Sequence, residues 1–408
     1  MNIYISGISG TGMGPLALMA KAAGFTVWGS DLAKGAIYDE LIKAGIGVKI
    51  GSQDGNFLRE KLEKGVDWFV HTSALSEAHA ELVLAREAGI KCTKRDDFTA
   101  FLVAELGLKM VAVAGTHGKT TTTAMIVWAA LKLGLPVSYI VGTTLGFAPS
   151  GAYKMGDKYF IYEADEYDRN FLKYRPWLAV IPAVSYDHPD IYPTVEDYET
   201  AFLQFKAQSE RVVEQSSFDE NEFKLAGEVR REDAALAAEA VLAMAPEIPR
   251  KKIVEILNEF PGAGRRFERI VDGVYTDYAH HPEEIAATMG VVKDERRLHG
   301  KKGIVVIYQP HQNTRQHEVR DGYAEAFLGA DKIYWLPTYL TRENPDLPVF
   351  SSAELIDGLA NKHLAEAAEL SDDLAVKLRQ YIDDGYLVVL MTAGPADGWL
   401  REKFGEQY

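Results

Sequence analysis

The sequence predicts an α/β protein of three domains, each built on a mainly parallel sheet, and two observations carry that expectation. A strand feeding a glycine or histidine loop and then a helix begins three times along the chain, at MNIYISG, at LKMVAVAG and at VYTDYAHHPEEI. The chain is also long enough, at 408 residues with 47% hydrophobic and 25% charged composition, to bury more than one core.

The elements follow in order. MNIYISG, a glycine turn, the helical run PLALMAKAAGF and the strand TVWGSD make a βαβ beginning, with DWFVHTSA and IKCTKRDD as further strand candidates. LKMVAVAG restarts the pattern near residue 108, ahead of a helix from about Thr120 to Leu133 and the strands YFIYEAD and WLAVIPAV. After PGAGRRFERI, near Phe260, the strands VYTDYAHHPEEI, GIVVIYQPH, KIYWLP and YLVVLMTAG alternate with helical stretches. The expected domains are therefore 1–107, 108–260 and 261–408. Doubly wound sheets of this kind collect ligands at the loops that follow their strands.

Composition excludes several classes. A formal charge of −15 repels a phosphate backbone, and the short basic clusters around Arg230-Arg231 and Arg296-Arg297 sit among acids, so no nucleic-acid partner is expected. The single cysteine, Cys92, excludes an internal disulfide framework and suits a reducing compartment. No apolar stretch has the length of a membrane span, and MNIYISGISG lacks the basic start and long apolar core of a signal peptide. The expected location is the cytoplasm, and the expected partners are small molecules.

VAVAGTHGKTTTTAMIVWAAL carries the strongest chemical signal. Gly115 and Gly118 let the backbone curl so that several N–H groups face a phosphate, with Thr116 and His117 between them. Lys119 adds positive charge, Thr120 offers a hydroxyl to Mg²⁺, and Thr121 continues the first helical turn. The full GxxxxGK[ST] spacing needs a glycine where Val113 stands, so this is a shortened variant in the right strand, loop and helix order. At the N-terminus, Gly7, Gly10 and Gly12 fit G-x-x-G-x-G, and Asp31 closes the second strand where it can hold a ribose hydroxyl. Those glycines alone leave a dinucleotide oxidoreductase open.

The compressed GTHGKT resembles the Mur ligases and their folylpolyglutamate-ligase relatives. The resemblance implies a Rossmann-like UDP-binding domain, a central P-loop ATPase domain and a Rossmann-like C-terminal domain. It also implies ATP, Mg²⁺ in two positions, and an amide bond made through an acyl phosphate. ISGISGTGMGPLALMAKAAGFTVWGSD is similar to the UDP-binding start of the UDP-N-acetylmuramate–L-alanine ligases and of the murein-tripeptide-recycling ligases. That similarity implies UDP-sugar contacts from Gly7, Gly10, Thr11, Gly12, Met13, Ser30, Asp31 and Ser73. EADEYDRNF and SYDHPDIYPTVEDY imply metal ligation by Glu163 and His188 beside Thr120. GAGRRFERI implies that Arg266 reaches the γ-phosphate, and VYTDYAHHPEEIAATM implies nucleotide or metal at Asp277 with the acceptor at Tyr278 and His280. YQPHQNTR implies a carboxylate grip by Arg315. The implied catalytic set is Lys119, Glu163, His188, Arg266 and Asp277.

All three domains are covered, and two segments depart from the family pattern. LAGEVRREDAALAAEAV places Val229, Arg230 and Asp233 where the family carries a histidine and two asparagines that help hold adenosine. Gln312 stands where alanine-adding members carry a second carboxylate-gripping arginine. L-Alanine is the expected acceptor, with the recycled tripeptide as the alternative. A nucleotide-binding homologue that has lost turnover is a further alternative.

Overall fold

The computed structural model describes residues 1–72, 75–186, 188, 191–341, 343–344 and 346–405. Ser73 lies outside them. Three sheets form, each where the strand pattern starts afresh. The first holds β1 (Asn2–Ser6), β2 (Thr26–Asp31), β3 (Gly47–Ile50), β4 (Trp68–His71) and β5 (Lys91–Lys94) in the order β3-β2-β1-β4-β5, all parallel. The order reverses beside β1, which makes the carboxyl end of that strand the place where a crevice opens.

The second sheet holds β6 (Lys109–Val113), β7 (Val137–Ile140), β8 (Gly151–Ala152), β9 (Tyr159–Glu163), β10 (Leu178–Val180) and β11 (Val212–Val213). Its order is β11-β10-β6-β9-β7-β8, parallel except for β8. The strand carrying the phosphate loop therefore lies between β9 and β10. The third sheet holds β12 (Glu268–Val271), β13 (Val274–Asp277), β14 (Ile304–Gln309), β15 (Lys332–Trp335), β16 (Ala365–Ala367) and β17 (Leu387–Thr392). The order is β12-β13-β17-β14-β15-β16, with β12 antiparallel. The inner strands β6, β13, β14 and β17 are almost wholly buried, as expected of parallel strands covered on both faces.

Two compact units result: residues 1–223 with 232–260, and residues 224–231 with 261–408. The first two sheets lie together in one unit and share a core in which Phe98 and Leu102 pack in the same cluster as Tyr162, Phe171 and Tyr174. Asp96, 3% exposed, ties that seam by accepting from the hydroxyls of Tyr162 at 3.1 Å and Tyr174 at 2.9 Å. The second unit has its own clusters on the two faces of its sheet, around Phe327 and Trp335 on one and Leu374 and Leu378 on the other. Among the described residues no helix is long and apolar enough to cross a membrane.

Candidate active site

The strand β6 ends in the loop 114–118, and a helix begins at once, Lys119–Lys132. Gly118 makes this possible. Its φ is +80°, and a Cβ there would stand 2.5 Å from Asp233 Oδ1 and 2.9 Å from Pro182 Cβ. The loop is pinned from β10's side, where the Thr116 amide donates to Ala183 O at 2.7 Å and the Thr116 hydroxyl to Ser185 O at 2.6 Å. His117 is exposed and bridges to Ala183, and Thr121 is half-buried in the first helical turn. The helix presents its amino end, with its unshared N–H groups, to whatever anion the loop cradles.

Lys119 folds back over this loop. Its ammonium donates to Gly115 O at 2.5 Å and pairs with Glu166 at 2.9 Å. Glu166 is 1% exposed, and burial raises its carboxyl above the usual range although Lys119 pulls it down. The hydroxyl of Thr120 donates to Glu163 Oε1 at 2.8 Å, because Glu163 closes β9, the strand beside β6. His188 Nε2 lies 3.6 Å from Glu166 Oε1, and its φ of +56° is a left-handed conformation uncommon outside glycine. Thr120, Glu163 and His188 are thus gathered around the loop, and they offer hard oxygen donors and one imidazole.

The N-terminal glycine loop belongs to the same unit. Gly7 takes φ +81°, and Ser30 O receives the amides of Gly7 at 2.8 Å and Ile8 at 3.1 Å. Asp31 folds onto its own neighbourhood, accepting from the amides of Ser9 at 2.8 Å and Leu32 at 2.7 Å. Ser30 is buried and donates to Glu81 at 2.7 Å, in a cluster that also takes up Tyr4, Ser6 and Gln53. Met13 is 4% exposed and packs in the core, and its amide donates to Gly10 O at 3.1 Å. The side chains of Ser30 and Met13 are thus engaged inside the domain, which leaves their backbone groups at the loop. Gly10 sits in the loop with Thr11 and Gly12. Thr11 and Gly12 line a cleft of about 210 Å³ together with Arg95, Lys119, Glu163 and Asp165.

In the second unit the foreseen residues gather at the carboxyl ends of β13 and β14. Asp277 is buried, and both its oxygens are taken: Oδ2 by the Phe267 amide at 2.8 Å, Oδ1 by the Ala279 amide at 2.9 Å and Thr288 Oγ1 at 3.0 Å. Burial raises its carboxyl, and those hydrogen bonds pull the other way. The guanidinium of Arg266 lies 5.5 Å over the ring of Tyr278. His280 Nδ1 is 3.0 Å from Tyr278 O and 3.1 Å from Glu284 Oε2, and its ring meets that of His311 edge-on at 5.8 Å. Arg315 carries a buried Nη1 that has no hydrogen-bond partner among the described residues. An unpaired buried cationic donor of this kind is costly and can be satisfied by an anion.

Comparison with known proteins places all three sheets in one family. Residues 2–105 match the Mur ligase family catalytic domain, 113–226 the Mur ligase middle domain and 265–394 the Mur ligase glutamate ligase domain. A UDP-N-acetylmuramate–L-alanine ligase of Clostridium acetobutylicum is 30% identical, over all of this chain and 97% of that protein. The chain belongs to the Mur ligase family. It is an ATP-dependent acid–amino-acid ligase of three-domain architecture. In solved structures the fold is similar to the UDP-N-acetylmuramate-alanine ligase MurC of Thermotoga maritima, at TM-score 0.77 and 23% identity over 99% of this chain and 98% of that one. It is also similar to a murein peptide ligase of Psychrobacter arcticus, at TM-score 0.59 and 23% identity over 100% and 99%.

The two departures of this Mur ligase acquire a physical setting. Asp233 is buried and accepts from Thr122 Oγ1 at 3.1 Å, so this substitution packs against the phosphate-loop helix. Gln312, at the position before the helix Asn313–Val319, holds φ +63° with its backbone amide on Tyr339 O at 2.9 Å. Sequence reasoning overlooked Arg95 and did not foresee the pairing of Glu166 with Lys119. The run TKRDD reads as the end of a strand, and nothing in it signals that Arg95 lines the same cleft as Lys119.

Proposed function

We propose that this Mur ligase joins L-alanine to the lactyl carboxylate of UDP-N-acetylmuramate at the expense of ATP. The observation that carries the reading is the single cleft lined by Thr11 and Gly12 of the sugar-nucleotide loop and by Lys119 and Glu163 of the phosphate site. Such a cleft suits a carboxylate that must meet a terminal phosphate. Support for the substrates comes from full-length relatives that bear this activity in their names. The ATP-linked substrates and the single cysteine suit the cytoplasm.

The residues then divide the work. The amino end of the helix Lys119–Lys132 and the Lys119 ammonium stabilise phosphate oxygens, and Arg266 takes up charge on the transferring phosphoryl group. Thr120 and Glu163 fit one Mg²⁺ and His188 a second, by the chemistry of their donors. When bound, Mg²⁺ neutralises phosphate charge. Attack of the lactyl carboxylate on the γ-phosphate breaks its bond to the β-phosphate and gives an acyl phosphate and ADP; the acceptor amine then attacks that carbonyl, and phosphate leaves as the nitrogen gives up a proton and the amide forms. Arg315 holds the acceptor carboxylate, with Tyr278 and His280 beside it. Asp277, whose oxygens are occupied, holds the loops that carry Arg266 and Tyr278 in register.

Gln312 keeps the tripeptide in view as an acceptor, since it removes one of two arginines that grip alanine in the resemblance. Phosphate release with ATP and UDP-N-acetylmuramate, run against L-alanine, L-serine, glycine and the tripeptide, tests the assignment. L-Alanine should give the highest kcat/KM. A dominant tripeptide signal moves the chain to the recycling reaction, and release with none of the four removes the proposal.

A further inference from the structure

Arg95 opens the helix Arg95–Glu105, at the seam between the first two sheets, and its side chain is one quarter exposed. Its Nε and Nη2 donate to Asp96 Oδ1 at 3.2 and 3.1 Å. Asp96 is itself fixed, since the same oxygen accepts from Tyr162 and Tyr174. The guanidinium plane is therefore set before anything binds. Its third nitrogen, Nη1, makes no hydrogen bond among the described residues and lies 2.5 Å from where a Cβ on Gly12 would stand. A side chain at position 12 would push the guanidinium away, so the glycine keeps this nitrogen at the cleft wall.

The charges in the cleft decide what it awaits. Lys119 is paired with Glu166, and Asp165 turns one oxygen back to the Tyr167 amide at 3.1 Å. Glu163 already receives Thr120. Among the described residues, Arg95 is the cation of the cleft whose outward donor makes no hydrogen bond. A volume of about 210 Å³ has room for a carboxylate beside a phosphoryl group.

We infer that Arg95 grips the reacting carboxylate of the acid substrate, holding it for attack on the terminal phosphate and holding the acyl phosphate that results. This rests on the function proposed above. A planar guanidinium, oriented in advance, suits both anions. The role goes beyond salt-bridging Asp96, because such a bridge needs neither the glycine at position 12 nor an open cleft.

The test compares binding of UDP-N-acetylmuramate with UDP-N-acetylglucosamine, which lacks the lactyl carboxylate, to the full-length protein by calorimetry. Wild type should prefer the muramate. Arg95→Met should weaken the muramate by roughly ten- to a hundredfold, the typical range for losing a hydrogen bond to a charged group, and leave the glucosamine unchanged. ADP affinity within twofold of wild type certifies the fold. If Arg95→Met fails that check, Arg95→Lys, which keeps the charge beside Asp96 and loses the fork, carries the same comparison. An equal loss on both sugars places Arg95 on the pyrophosphate or in a structural role and overturns the inference, as does no loss on either. A wild type without preference for the muramate overturns the functional reading itself, so the two failures are read in different proteins.

Discussion

Replacing Lys119 with methionine separates what the ammonium does for the reaction from what it does for the fold. Sequence reasoning alone predicts lost turnover in an intact protein. The structure adds Glu166, 1% exposed and 2.9 Å from the ammonium. At that distance the attraction is about 6 kcal/mol with an effective dielectric constant of about 20, much of it offset by desolvation of the two groups. Removing one partner alone leaves a buried charge and should cost about 3–5 kcal/mol. For a unit of this size that lowers the first thermal transition by on the order of 10 °C. Lys119→Met/Glu166→Gln leaves no charge and should recover most of the loss, while both variants lose roughly 10²- to 10³-fold in turnover. The sign with pH follows. Burial already raises the Glu166 carboxyl, and the variant removes Lys119, the largest influence opposing that rise. A raised carboxyl binds its proton more tightly folded than unfolded, so the single variant loses stability as pH climbs above about 4.3. Melting curves from pH 4 to 8 should show the single and double variants diverging upward in pH. A single variant as stable as wild type, or a double no more stable than the single, refutes the pairing argument. Unchanged turnover refutes the phosphate assignment.

Three further outcomes are expected. Glu163→Gln should raise the Mg²⁺ concentration for half-maximal turnover, because an amide is a poorer ligand for a hard cation, and a midpoint equal to wild type would remove Glu163 from the metal site. Gly118→Ala should cost at least about 1–2 kcal/mol for the left-handed backbone alone, with more from the contact with Asp233 and Pro182, and an unshifted melting temperature would contradict the geometry. Burial raises the Glu284 carboxyl, yet the His280 side chain and the amides of His280 and His281 overcome this and hold it at about 2. Its stabilisation is therefore full above about 4.3 and fades as pH falls through about 2, so the melting temperatures of wild type and Glu284→Gln should converge over that window.

The fold was legible wherever burial on both faces left long apolar runs. β1, β6, β14 and β17 were all readable, as were the loops that follow them, because parallel inner strands write hydrophobicity without interruption. β7 was not. VSYI is four residues long, carries a buried serine bonded to Asp157 and follows Pro136, so nothing distinguished it from a loop. The edge strands β8 and β11 have two residues each and leave no period to read.

The site was legible in its backbone motifs and less so in its carboxylates. Asp31, Asp277 and Glu163 all stand at the end of a strand; position assigns Asp31 to a ribose hydroxyl, and the family resemblance assigns Glu163 to a metal and Asp277 to nucleotide or metal. Two of the three also accept from amides of their own loops, contacts set by local backbone direction that residue order does not encode. Asp233 shows the converse. Read as sequence it is a lost asparagine and an argument for failing nucleotide recognition. In the fold its carboxylate lies against Thr122 in the second turn of the phosphate-loop helix and 2.5 Å from the space a Cβ on Gly118 would fill. An aspartate there is tied to the element that positions Lys119, so the altered adenosine segment is continuous with the catalytic loop. A chain drifting away from nucleotide chemistry has no reason to keep that loop's glycine, its threonine and a buried acid fitted to one another.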